Sequence, residues 1–181
     1  MEFIDDAEFQ IAIDNDNGAR ITSLKWRDNE FAVPFRGQVH TSGWYAMAPW
    51  AGRINEGLIK DAQGQEFQLP ATIDPPHALH GFGLISSWQE IGPGRSLLHL
   101  PAPYNGATVE QSIEVLDDAV RWSLEYEPNG CELPAWIAGS GFKCFVTQSS
   151  YRCRYYLFTC WCTASTSARI SRCNGEVNGI Y

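Results

Sequence analysis

What this 181-residue sequence lacks narrows its possibilities quickly. No apolar run approaches the ~20 residues of a membrane-spanning helix. The first residues, Met1-Glu-Phe-Ile-Asp-Asp6, have none of the basic start of a secretory leader. The expectation is a cytoplasmic chain with no membrane partner. Positive charge is scarce, with 13 Lys and Arg against 21 Asp and Glu and a formal net charge of −8. Nucleic acid and anionic lipid both require clustered Lys and Arg, so neither is expected as a partner. Charged residues make up only 19%, and this composition excludes a coiled coil and collagen. Disorder is excluded as well, because 44% of the residues are hydrophobic and 13% aromatic.

The shortages are not evenly spread. Cysteine is nearly missing before residue 134, where only Cys131 occurs, and five cysteines follow: Cys144, Cys153, Cys160, Cys162 and Cys173. Proline is missing after Pro134, and all four histidines (His40, His77, His80 and His99) precede residue 100. Residues 1–133 carry a net charge of −12 and residues 134–181 a net of +4. These shifts coincide, so the reading is of two texts joined near residue 138: residues 1–137 as one β-rich unit and residues 138–181 as an atypical Cys-rich tail. Successive cysteines in the tail form no Cys-x-x-Cys pair and have no histidine beside them, which argues against a metal module. A disulfide-stapled extension fits Cys160-Trp-Cys162 poorly. The expectation is that the tail is out-of-frame translation or a damaged gene end.

What is present in residues 1–133 is strand-forming. In Ala107-Thr-Val-Glu-Gln-Ser-Ile-Glu-Val115, Val109, Ile113 and Val115 share one face and Glu110 and Glu114 the other. Leu116-Asp-Asp-Ala119 is turn chemistry, and Val120, Trp122, Leu124 and Tyr126 then alternate with polar residues. That pattern predicts an antiparallel hairpin with one buried face. Phe9–Ile13 and Ala19–Trp26 read as strands joined by the turn Asp14-Asn-Asp-Asn-Gly18. Short strands at this spacing predict an all-β antiparallel sandwich or barrel.

Two segments hold chemistry that strand formation alone does not explain. In Ala46-Met-Ala-Pro-Trp-Ala-Gly-Arg-Ile-Asn-Glu-Gly57, Pro49 stiffens the chain, Gly52 permits close approach, and Arg53 offers a planar fork of donors. In Leu69–Gly83, Pro75-Pro76 rigidifies the approach to His77 and His80, and Gly81 and Gly83 release it. An isolated Arg beside Gly is most often a solvated loop residue, and His-x-x-His without a helix or third ligand is a weak metal signal. Spacing alone gives a β domain with a polar pocket.

Taken together, Ala48-Pro-Trp-Ala-Gly-Arg-Ile54, Gly64-Gln-Glu-Phe-Gln-Leu-Pro70, Pro75-Pro-His-Ala-Leu-His-Gly81 and Trp88 resemble the aldose 1-epimerase (galactose mutarotase) family. Gly18-Ala-Arg-Ile-Thr-Ser-Leu24 and Glu132-Leu-Pro-Ala-Trp-Ile137 extend the resemblance over residues 10–137. The resemblance implies a large antiparallel β-sandwich, incomplete here on its C-terminal side. It implies a small-molecule partner, a free aldohexose whose α- and β-anomers are interconverted without cofactor or metal. Anomerisation moves a proton off O1 while the ring oxygen gains one, which suits a carboxylate base and a histidine acid. By place in the motif, His80 would act at the ring oxygen as the catalytic residue. Arg53 would bind sugar hydroxyls, with His77 as a wall of the pocket. Trp50 or Trp44 would pack on the sugar's apolar face, although core packing is the commoner role for any single Trp.

The chain departs from the family pattern after Ile137. Where a His-Pro motif is expected, it reads Ala138-Gly-Ser-Gly-Phe-Lys-Cys144, and Asn174-Gly-Glu-Val177 does not match the motif that carries the family's carboxylate. The expectation is therefore an aldose 1-epimerase-like protein lacking its general acid and base, and the alternative is a non-catalytic carbohydrate-binding domain or a non-functional fragment. The substrate sugar, any sugar phosphate preference and the oligomeric state are not legible in the sequence.

Overall fold

Alternation of apolar and polar residues, period two, organises most of the chain into antiparallel strands. The computed structural model describes residues 1–6, 8–27, 29–35, 37–116 and 119–139, and the course of the backbone over 151–158. Strands β1 (Glu2–Asp5), β2 (Phe9–Asp14), β3 (Arg20–Trp26) and β4 (Asn29–Glu30) form one antiparallel sheet in that order. The expected turn between β2 and β3 is a single 3-10 turn, Asn15–Asn17, ending on Gly18 in the left-handed region.

A series of short strands follows: β5 (Ala46–Met47), β6 (Arg53–Ile54), β7 (Leu58–Lys60), β8 (Glu66–Gln68) and β9 (Ala78–Leu79). β6 pairs with β9, and β7 pairs with β8 as the hairpin between the two motifs. The second large sheet contains β10 (Gln89–Gly92), β11 (Arg95–His99), β12 (Thr108–Val115) and β13 (Ala119–Glu127). The predicted hairpin is β12–β13, paired from Thr108↔Glu127 to Val115↔Val120. β14 (Ala138–Gly139) pairs with β5, and β15 (Tyr151–Phe158) lies antiparallel along β13 from Ala119↔Phe158 to Tyr126↔Tyr151. The ladders thus continue past residue 137. Residues 140–150 and 159–181, with Cys144, Cys160, Cys162 and Cys173, lie outside the described residues.

The fold is all-β, and the inner faces of the two large sheets share one core. Phe9, Ile11, Ile13, Ile21 and Leu24 from the first meet Val109, Ile113, Val120, Trp122, Leu124 and Tyr126 from the second. Burying each large side chain contributes roughly 2–3 kcal/mol. One polar residue interrupts this face. Gln111 is buried between Val109 and Ile113, and its Nε2 donates to the Ala19 carbonyl (2.7 Å) across the sheets while its Oε1 accepts from the Trp122 indole (3.0 Å). Both ends of the amide are used, so the buried polar group stitches one sheet to the other rather than opposing burial. Gln111→Leu should lower unfolding free energy by about 2 kcal/mol, because it strips the Ala19 carbonyl and Trp122 indole of this partner. An unchanged urea midpoint would show that the amide is not a structural stitch.

Candidate functional site

The segment with the Arg motif runs between two others. On one side Ala48 bridges Gly81, and β6 pairs with β9 through Arg53↔Leu79 and Ile54↔Ala78. On the other side, Trp136 N–H donates to Pro49 O (2.8 Å), Ala51 N–H donates to Trp136 O (3.0 Å) and the Trp136 indole donates to Ala51 O (2.7 Å). The chain following Pro49 is thus held from both edges, and Arg53 leaves it toward solvent. Behind it, Trp50 is only 1% exposed, packed edge-on to Phe82 (5.3 Å, 76°) and beside Tyr104. A ring so placed presents no face to a ligand, and of its two expected roles Trp50 fills the core one. Trp44 is half-buried and pairs with Ile21.

Gly52 and His80 exchange two bonds. His80 N–H donates to Gly52 O (2.9 Å), and Gly52 N–H donates to His80 Nδ1 (3.0 Å). To do so His80 takes a φ of +59° and Gly81 a φ of +71°. A Cβ on Gly81 would lie 2.1 Å from Ala48 O, so this glycine is where two backbones approach closely. That corrects the expectation for Gly52, whose hypothetical Cβ meets nothing within 4 Å; Gly52 is required instead by its φ of +90°.

One half of this arrangement recurs at His77, whose Nδ1 accepts from Glu56 N–H (3.1 Å). An imidazole nitrogen that accepts carries no proton, so both neutral rings hold theirs on Nε2 and offer a single donor. His77 is itself turned by its N–H bond to Asp74 O (2.9 Å). The Asp74 carboxylate in turn accepts from Arg53 Nε. The two motif loops that carry Arg53, His77 and His80 are therefore joined by direct links.

Four residues the sequence reading left unassigned, Asp74, His40, Tyr45 and Arg20, surround these loops. The Asp74 carboxylate is held below its ordinary range, chiefly by the hydrogen bond from Arg53, with the charges of Arg53, His77 and His40 acting the same way. Burial lowers the His80 imidazole, and the charges of His40 and Arg53 lower it further. His40 thus reaches both groups electrostatically. It is placed by Tyr45, whose hydroxyl donates to His40 O (2.8 Å) and whose ring centroid lies 6.2 Å from that of His80. Arg20, 5% exposed, holds this region by donating to the carbonyls of Asn17, Val39, Ser42 and Leu84, with its guanidinium 5.5 Å from the Tyr45 ring centroid. These partners come from distant segments, so no local pattern announces them.

Among the described residues no group of three or more His, Cys, Asp or Glu side chains is placed to hold a metal ion. None of their helices is long and apolar enough to cross a membrane. Of the stretch read as lacking a general acid, Ala138–Gly139 is β14, and residues 140–144, like those around Glu176, lie outside the described residues.

No family model and no curated protein matches the chain. Its structure is similar to a solved one from Escherichia coli K12 that is provisionally described as an aldose 1-epimerase. The TM-score is 0.63 and the sequence identity 22%, over 76% of this chain and 50% of that one. The two share a fold, and this chain spans half the length of that structure.

The lowered His80 basicity has a consequence for stability. In the unfolded chain the ring titrates near the ordinary ~6.5. Between that value and the lower folded one, the unfolded chain binds more protons, so stability falls as pH falls through this window. The urea midpoint of the wild-type chain should drop more steeply from about pH 7.5 to about pH 5 than that of His80→Asn, since Asn tolerates the same backbone conformation without titrating. Parallel slopes would mean that His80 is not held neutral by the fold.

Proposed function

We propose that this chain is an aldose 1-epimerase-like protein that binds a free aldohexose over Arg53, His77 and His80. The observation that carries this reading is the joining of the two motif loops, which gathers Arg53 and two imidazoles with fixed Nε2–H donors at one place on a fold shared with the Escherichia coli structure. Sugar oxygens require such an array: Arg53 donates to ring hydroxyls through its fork, and His77 closes one side.

In the reaction, the O1 proton passes to a base as the C1–O5 bond breaks and the ring oxygen takes a proton, leaving an open-chain aldehyde. Rotation about C1–C2 and reclosure on the other face give the second anomer, and the protons return. His80, neutral with its hydrogen on Nε2, is the donor in this scheme that polarises the ring oxygen. A second reading, sugar binding without catalysis, is favoured by the Arg53–Asp74 ion pair. It makes the Asp74 carboxylate a weaker base than an unpaired one.

Polarimetry on freshly dissolved α-D-glucose, with sugar binding followed by NMR in the same buffer, separates the two. The expected result is mutarotation accelerated in proportion to protein, with His80→Ala slowing it by about 10²-fold or more. Binding with an unchanged rate selects the second reading, and neither binding nor acceleration rejects both.

A further inference from the structure

Asp74 contributes more to this site than Arg53 needs for support. The gathered side chains are otherwise donors. Arg53 has no acceptor, and His77 and His80 have each committed Nδ1 to a backbone N–H, which leaves only Nε2–H. Asp74 stands among them, bonded to Arg53 by its carboxylate and to His77 N–H by its carbonyl, with the charge of His40 also acting on it. Its carboxylate remains about a third exposed, so lone pairs are left for a ligand.

We propose that Asp74 sets the ligand class of the site: by neutralising Arg53 and supplying the acceptor that the surrounding donors lack, it makes the site a reader of uncharged sugar hydroxyls and excludes phosphate esters. This rests on the sugar-binding reading above. A hydroxyl both donates and accepts, so two adjacent hydroxyls are satisfied by a carboxylate beside a guanidinium. A phosphate oxygen at neutral pH only accepts. Arg53 and the imidazole N–H groups alone would suit phosphate well, and the Asp74 charge beside Arg53 and His77 opposes it. Glu56, exposed on the Arg53 loop, adds charge of the same sign.

The test is calorimetric titration of the full chain with D-glucose, D-glucose 6-phosphate and inorganic phosphate, for wild type, Asp74→Asn and Asp74→Glu. Asp74→Asn is isosteric and keeps the backbone carbonyl that holds His77, and Asp74→Glu preserves the charge should the amide perturb the loop. Wild type should prefer glucose over glucose 6-phosphate. Asp74→Asn should weaken glucose by about tenfold and strengthen glucose 6-phosphate and inorganic phosphate by about tenfold. Asp74→Glu should keep the wild-type order. Tighter wild-type binding of glucose 6-phosphate than of glucose overturns the proposal, as does an Asp74→Asn variant with an unchanged preference. If wild type binds neither sugar, the sugar-binding reading falls. The phosphate titrations then decide the role of Asp74: a gain of phosphate affinity in Asp74→Asn supports it, and no gain overturns it.

Discussion

The candidate site depends on the pair of hydrogen bonds between Gly52 and His80. Either bond alone would join two loops; together they fix the ring as well as the backbone. The carbonyl of Gly52 takes the His80 N–H and sets the chain direction, while the Gly52 N–H takes Nδ1 and sets the plane and tautomer of the imidazole. The geometry demands a left-handed His80, an uncommon conformation for a residue with a Cβ, and a following glycine pressed against Ala48 O. Such strain, of order 1–3 kcal/mol at a non-glycine residue, persists only where surrounding structure over-determines it. Here the over-determination comes from the β6–β9 ladder on one side and the Trp136 bonds on the other.

From that lock the properties of the site follow by distance from the core. His80 lies nearest it, with Tyr45 beside the ring and Trp50 and Phe82 buried behind the same loops, so desolvation favours the neutral imidazole. Arg53 and Asp74 lie further out, where an exposed ion pair has little leverage on stability but orients a guanidinium. Arg20 acts from inside. A buried cation satisfied chiefly by carbonyls must hold the segments that supply them, and these include the stretch bearing His40 and the stretch after His80. The segment that brings His40 near the site is thus anchored by a buried cation as well as by the packing of Val39 on the cluster of Tyr45, Met47 and Leu84.

How much of this was legible depended on whether the signal was local. The β2–β3 and β12–β13 hairpins follow from alternation over six to nine residues, long enough for a period of two to declare itself. β5, β6 and β9 have two residues each, and no period can be read from two residues; they were found as motif residues and not as strands. Gln111 was illegible for another reason. It lies on the apolar face of β12, and only the carbonyl of Ala19 on the facing sheet explains why an amide is tolerated there. Asp74 was hidden by its position before Pro75-Pro76, where an acidic residue reads as ordinary turn chemistry. Its pairing with Arg53, 21 residues earlier, exists only once the loops close.

The charge of the whole chain and the charge of the site pull in different directions, and screening decides which one a ligand meets. Residues 1–133 carry a net of −12, a field that would slow the approach of any anion. At physiological ionic strength that field fades over about 8 Å, so a bound ligand responds mainly to its immediate neighbours. Those neighbours are Arg53, Asp74, His77 and the His80 imidazole, which burial keeps from charging readily. An uncharged sugar crosses the outer field without penalty and meets donors and an acceptor at close range. An anion is opposed at long range by the acidic excess and at short range by Asp74. Both length scales therefore favour a neutral polyhydroxy ligand, although the site, viewed as Arg53 and two histidines alone, has the composition of an anion site.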